Sequence, residues 1–130
     1  MRTIAVIVRG LKRMLIHDER LKNSILTSLA DQEMVKIMNS IIIHSKSITD
    51  IIREASIAHT TAYRKIKWMV EKGLLVVEKI DITEDGKKFS LLKSVFKSMT
   101  VRYEYDRVTV EAEQNVNTLQ KITEKIFSLD

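Results

Sequence analysis

The longest regular hydrophobic pattern lies in residues 47–75, which read SITDIIREASIAHTTAYRKIKWMVEKGLL. Ser47 or Thr49 can cap a short first helix. Its apolar residues recur at helical spacing: Ile48, Ile51 and Ile52. A second helix is predicted over residues 59–72, with apolar residues three or four positions apart: Ala62, Ile66, Met69 and Val70. Gly73 ends this helix, and two short helices followed by an apolar strand are typical of a helix-turn-helix with its wing.

Three further helices are predicted before this unit. The first has an apolar stripe with basic residues elsewhere: Ile4, Val8, Leu11 and Leu15. This helix is too short to span a bilayer. We favour its packing on the domain or on a second subunit over contact with a membrane or with the DNA backbone. Residues 4–8 could instead form a strand. The second carries Leu21, Ile25 and Leu29, and the third begins after Asp31. We expect them to pack beneath the helix-turn-helix.

Two β-hairpins are predicted after the helix-turn-helix. The first pairs residues 74–80 with residues 87–92 around a turn at Gly86, and it would be the wing. The second follows from alternating apolar residues whose parity changes at Asp106 and Arg107. A two-residue turn there would pair Tyr105 with Val108, Tyr103 with Val110 and Val101 with Ala112. This hairpin would be extra core or a cover for the helices, or else a dimer surface or the floor of an effector pocket.

A final helix is predicted over residues 115–128, and its apolar stripe is typical of a subunit seam. The N-terminal stripe can pack against it. The predicted homodimer interface is therefore Ile4, Leu11, Leu15, Val116, Leu119, Ile122 and Ile126. A homodimer would place two recognition helices about one DNA turn apart, roughly 34 Å. The alternative is that both helices pack on the wing within one chain.

Composition narrows the fold and the partners. With 130 residues, 45% of them hydrophobic, the chain can close one core, and no linker divides it, so a single domain over residues 1–130 is expected. The predicted fold class is mainly α with small β: a winged helix-turn-helix with an additional N-terminal helix, a second β-hairpin and a C-terminal helix. The net charge of +5 favours a polyanionic partner without establishing one. The lack of cysteine excludes disulfides and thiolate metal sites.

Two segments, SLADQEMVKIMNSI and SITDIIREASIAHTTAYRKIKWMVEKGLL, resemble the winged-helix core of ArsR-type regulators, especially small archaeal members. The resemblance covers about residues 25–92 and includes YRK in the second helix and GLL after it. It implies a DNA-binding transcription regulator, which we expect to be cytoplasmic and nucleoid-associated. Metal sensors of this type use cysteines near the first helix of the motif, or histidine and acidic ligands in the last helix. This chain has no cysteine, and residues 115–130 contain no histidine, so neither a metal nor a cofactor is expected.

Double-stranded DNA is the predicted partner because the second helix is basic on its free face. Thr60, Thr61 and Arg64 would reach base edges from its first turns, since arginine can donate to guanine and threonine can meet a thymine methyl. The lysines of the wing can bind phosphates, but the acidic residues at its tip would be repelled by DNA. Either the lysines contact DNA or the wing does not approach it. Lys65, Lys67 and Lys46 would hold phosphates. The predicted DNA-binding set is His59, Thr60, Thr61, Tyr63, Arg64, Lys65, Lys67, Lys46, Lys79, Lys87 and Lys88.

The sequence contains no familiar catalytic motif. There is no GxGxxG, no Walker loop and no HExxH, and the three histidines are not spaced as metal ligands, so an enzyme is not expected. The alternative function is a winged-helix protein-interaction module of a transcription or other assembly. The basic second helix favours DNA binding, whereas the acidic wing tip favours the protein-interaction module.

Overall fold

The computed structural model describes residues 13–115, in which the chain forms four helices and five strands. In chain order they are β1 (Arg13–Leu15), α1 (Glu19–Leu29), α2 (Gln32–Ser40), α3 (Ile48–Ala55), α4 (His59–Glu71), β2 (Leu75–Ile82), β3 (Lys88–Ser94), β4 (Phe96–Glu104) and β5 (Arg107–Gln114). Most of the predicted dimer interface lies outside the described residues: Ile4, Leu11, Val116, Leu119, Ile122 and Ile126. So does the predicted final helix, apart from its first residue.

The fold is α+β, with about 40% helix and 35% strand among the described residues, so the predicted class of mainly α with small β was wrong. Strands β2 and β3 form a two-stranded antiparallel sheet, and a three-stranded antiparallel sheet has the order β1, β5, β4. The hairpin strands extend beyond the apolar runs of the sequence, because backbone pairing continues into polar residues. In the first hairpin the pairing ends at Ile82 and its partner Lys88. The three-stranded sheet also includes β1, which the local pattern assigned to a helix.

Leu15, predicted on the N-terminal helix, lies in strand β1 instead. This strand pairs antiparallel with residues 111–113 of β5, and the Ile16 N–H donates to the carbonyl oxygen of Val110 at 2.8 Å. A short apolar run fits a helix or a strand equally well, and here the free edge of β5, about 100 positions away in the sequence, decides the outcome. Leu15 is therefore held in the sheet.

Helices α3 and α4, which were predicted as a helix-turn-helix, and α2 before them lie where the sequence predicted them. The Asp31 carboxylate caps α2 by accepting two backbone N–H groups of its first turn, at 2.9 and 3.0 Å. The Ser47 hydroxyl caps α3 by accepting the Asp50 N–H at 3.2 Å. Gly73 has a φ of 82°, a conformation that strains residues with a Cβ, and it turns the chain from α4 toward β2.

One hydrophobic core joins the four helices to both sheets. Its fully buried members come from every part of the described chain: Ile25, Ile37, Ile41, Ile51, Ala62, Ile66, Met69, Leu74, Leu75, Leu92, Val110 and Ala112. Three of them form one side of α4, so the rotation of that helix about its axis is fixed by the core. None of the helices in residues 13–115 is long and apolar enough to cross a membrane.

The hairpin of β2 and β3, which we call the wing, is attached to the helices through its base. Lys46 and Leu92 exchange two backbone hydrogen bonds, at 3.0 and 2.8 Å. The Val95 N–H, just past the wing, donates to the carbonyl oxygen of Leu74 at 3.0 Å. The loop before α3 and the residues after α4 therefore both bind the base of the wing.

The second hairpin is present, but its register differs from the prediction by two residues. The two-residue turn is formed by Tyr105 and Asp106, not by Asp106 and Arg107, so Tyr103 lies opposite Val108. A slip of two leaves every side chain on its predicted face, and the alternation of polarity therefore cannot distinguish the two registers. Tyr105 has a φ of 58°, a left-handed conformation that a sequence pattern gives no reason to place at a tyrosine.

Candidate nucleic-acid interface

Helix α4 turns its hydroxyl and basic side chains toward solvent. Its opposite side is fixed in the core by Ala62, Ile66 and Met69. The residues on the outward side are exposed, apart from the partly buried Thr61: His59, Thr60, Thr61, Tyr63, Arg64 and Lys67. This side matches most of the recognition surface predicted from the sequence.

Arg64 and Lys67 carry charges that no acidic side chain neutralises within the described part of the chain. They lie three positions apart, so they project from adjacent turns of one helix face. Each cation is free to meet an anion from outside the protein. Guanidinium groups can donate two parallel hydrogen bonds to a guanine edge or to a phosphate, whereas an ammonium acts mainly as a point charge.

Lys65 lies on a different side of α4 and does not fit its predicted phosphate contact. Its Nζ donates to Asp31 Oδ2 and Glu33 Oε1, both at 2.7 Å, and only 12% of its side chain is exposed. The hydrogen-bonded ion pair raises the pKa of Lys65 and lowers the pKa of Asp31, because each group stabilises the charged form of the other. Lys65 therefore attaches α4 to the start of α2.

Lys46 is also engaged within the protein. Its Nζ donates to Glu54 Oε1 of α3 at 2.7 Å, and its backbone pairs with Leu92. The ion pair neutralises the charge that was predicted to hold a phosphate. Lys46 thus connects α3 to the wing.

A cleft of about 640 Å³ separates the start of α3 from the wing. Tyr63 of α4 lines it, together with Thr49 of α3 and the wing lysines Lys87 and Lys88. Tyr63 is 44% exposed, and its ring centroid lies 4.7 Å from that of His59, so its ring belongs to the open cleft. Three residues of the predicted DNA-binding set, Tyr63 and the two lysines, thereby come together.

The wing carries equal numbers of basic and acidic residues near its tip: Lys79, Lys87 and Lys88 against Asp81, Glu84 and Asp85. Asp85 is held inside the turn by the Thr83 hydroxyl, which also accepts the Lys87 N–H at 3.0 Å. The three lysines are exposed and form no ion pair with residues 13–115. Lys79 lies on β2 and does not line the cleft, so only the other two lysines face the same space as α4.

The start of α4 has a feature that the sequence analysis missed. Its N-cap residue, Ala58, makes no side-chain hydrogen bond, whereas the N-caps of α1, α2 and α3 do: Asp18, Asp31 and Ser47. The backbone N–H groups of the first turn of α4 are therefore not capped by a side chain, and the positive end of the helix dipole lies beside Thr60. The sequence indicates this uncapped helix start, because no Ser, Thr, Asp or Asn stands immediately before His59.

Among the residues that the structure describes, no three histidine, aspartate or glutamate side chains are arranged to hold a metal ion.

Searches with this chain found no matching family model, no matching curated protein and no matching solved structure. The resemblance to ArsR-type regulators therefore stays a prediction, and a function for the chain must be argued from its geometry.

Proposed function

We propose that this protein binds double-stranded DNA through α4 and regulates transcription as a homodimer. The observation that carries the proposal is the pair of unneutralised cations, Arg64 and Lys67, on the outward side of a helix whose other side is fixed in the core. A helix presented in this way fits the major groove, which is about 12 Å wide. The net charge of +5 adds an attraction that does not depend on sequence.

Different residues of α4 would contact base edges and phosphates. Thr60 and Arg64 lie in the first turns of α4, the part of a recognition helix that meets base edges. Lys67, one turn further, is placed for a phosphate, as are the uncapped N–H groups at the start of the helix. Sequence preference would come from Arg64 and its neighbours, and most of the affinity from phosphate contacts.

The direct test is fluorescence anisotropy with the promoter DNA of the chain's own gene, at two salt concentrations. We expect binding whose affinity falls steeply as salt rises, because each neutralised phosphate releases counterions. Lys97→Ala is the matched control: Lys97 is 62% exposed on β4 and lies outside the predicted DNA-binding set, so its loss should leave affinity unchanged. Absence of binding at the lower salt concentration would contradict the proposal.

Replacing both Lys87 and Lys88 by alanine tests whether the wing contacts DNA. If both contact phosphates across the cleft, the double variant should bind all sequences more weakly, and the slope of log affinity against log salt should fall by roughly one unit per lost contact. Lys79→Ala, a change in the same wing but outside the cleft, should keep the slope of the parent. An unchanged slope in the double variant would mean that the wing stands away from DNA.

A second candidate function, a protein-interaction module, is favoured by one observation. Ile80 and Ile82 on the wing are 61% and 59% exposed, and they lie beside an acidic tip. Neighbouring exposed apolar side chains of this size are typical of surfaces that meet another protein. Replacing both by threonine should leave DNA affinity unchanged if the wing meets DNA only through its lysines.

A further inference from the structure

The second hairpin extends beyond the rest of the fold. Strand β1 covers only residues 111–113 of β5, so residues 100–109 form a two-stranded ribbon with no third strand in the described part of the chain. Every residue of β4 from Thr100 onward is exposed. The apolar members of the ribbon are no exception, since Val101, Tyr103 and Tyr105 are 42%, 75% and 88% exposed.

The outer edge of this ribbon carries charges at Arg102 and Glu104 but lacks two other devices that prevent strand pairing, proline and bulges. Beyond Ser98, β4 contains no proline, no glycine and no bulge. Its residues are rich in β-branched and aromatic types, and an isolated two-stranded hairpin is only marginally stable in water. A further strand on this edge would stabilise the ribbon.

The backbone of β4 has a defined set of free hydrogen-bonding groups. The carbonyl oxygen of Val110 points toward β1 and accepts the Ile16 N–H. Val101 lies opposite Val110 in the hairpin. Because opposite residues of an antiparallel pair both point their N–H and C=O groups toward each other or both point them away, those of Val101 point away from β5. By alternation, the N–H and C=O of Tyr103 also face the open edge. These groups are placed to pair with an antiparallel strand.

We propose that the occupant is the β4 strand of a second copy of this chain, paired antiparallel about a two-fold axis at Tyr103. In this register the two Tyr103 residues exchange backbone hydrogen bonds across the axis, and Arg102 lies opposite Glu104 of the second copy, twice by symmetry. On the other face, Val101 lies diagonally across from the second copy's Tyr103. The strand is thus complementary to itself in backbone, charge and apolar side chains.

Charge also distinguishes this occupant from DNA. The exposed ribbon carries Arg102 and Arg107 against Glu104 and Asp106, a net charge of zero, so it offers no attraction to a polyanion. The homodimer of the proposed function would then form through the two β4 strands and not through the outer helices. This strand interface does not depend on DNA binding. Its tests use the protein alone.

Charge reversal tests the register by sedimentation velocity at up to roughly 100 micromolar protein. The unmodified protein should be a dimer. Arg102→Glu or Glu104→Arg alone would create two like-charged pairs and should raise the dissociation constant about tenfold. The double reversal restores opposite charges across the axis and should return the constant to within about threefold of the parent. Monomeric parent protein, or single variants that dimerise like the parent, would overturn the proposal.

A crosslink provides an independent measurement, since the chain has no cysteine of its own. Tyr103→Cys should form a covalent dimer on mild oxidation, because paired Cα atoms across the axis would be about 5.5 Å apart, within the range of a disulfide. Val108→Cys is the matched control, since Val108 lies opposite Tyr103 within the hairpin and the two copies would be roughly 14 Å apart. Equal crosslinking of the two variants would contradict the register.

Discussion

Replacing Lys65 by alanine is expected to lower the free energy of unfolding by about 2 kcal/mol. The change removes two hydrogen-bonded ion pairs of 2.7 Å and leaves Asp31 and Glu33 facing each other without their cation. The cost stays below that of a fully buried pair because the two carboxylates are 27% and 41% exposed and can be rehydrated. Urea unfolding followed by circular dichroism measures it.

Lys67→Ala is the control for this effect, because Lys67 is two residues away on the same helix but exposed and unpaired. It should change the free energy of unfolding by no more than about 0.5 kcal/mol. Equal stability of the two variants would show that the ion pair contributes nothing to the attachment of α4.

The stability difference between the parent and Lys65→Ala should depend on pH in a defined way. The folded pKa of Asp31 is below its ordinary value of 3.8, so its contribution is present above that value and is lost as the pH falls through the folded pKa. The folded pKa of Lys65 is above 10.5, so its contribution is present below 10.5 and is lost as the pH rises through the folded pKa. The difference should be constant between about pH 5 and pH 10 and should shrink outside that window.

Arg64→Ala should weaken binding to the preferred DNA site by about 1 to 3 kcal/mol and relax the preference at one base pair. Arg64 is exposed in the second turn of α4, away from the side fixed by Ala62 and Ile66, and it has no internal ion pair to break. The fold should therefore be unaffected. Anisotropy titrations against a set of single-base variants of the site measure both the affinity and the preference.

Lys67→Ala should instead weaken binding to all sequences alike, since a phosphate contact carries no base information. The comparison of the two variants therefore separates base reading from electrostatic attraction. Parent-like affinity and preference in Arg64→Ala combined with Thr61→Ala would remove direct base reading and leave the protein-interaction module as the better account.

The local elements were predictable where the signal is local. Asp31 and Ser47 begin helices because their side chains satisfy the N–H groups of the first turn, and Gly73 ends one because it adopts a positive φ without strain. The exposed side of α4 was predictable for the same reason, since the spacing of its apolar residues fixes which side is buried.

Contacts between distant residues were not predictable in this way. The edge of β5 recruits Leu15 into a strand, and Asp31 recruits Lys65, 34 positions later, into an ion pair that removes it from the interface. A basic residue on a helix can serve an internal acid or an external phosphate, and only the position of α2 beside α4 distinguishes the two. The register of the second hairpin was missed because alternation has a period of two.

The two backbone hydrogen bonds between Lys46 and Leu92 have a consequence for the thermodynamics of binding. They attach the base of the wing to the loop before α3, so we expect the backbone at the base of the wing to keep its position when a ligand binds. Binding then requires little conformational entropy to be lost by the protein. Calorimetry should therefore give a heat-capacity change that matches the area of a rigid interface, and not the more negative change that accompanies coupled folding and binding.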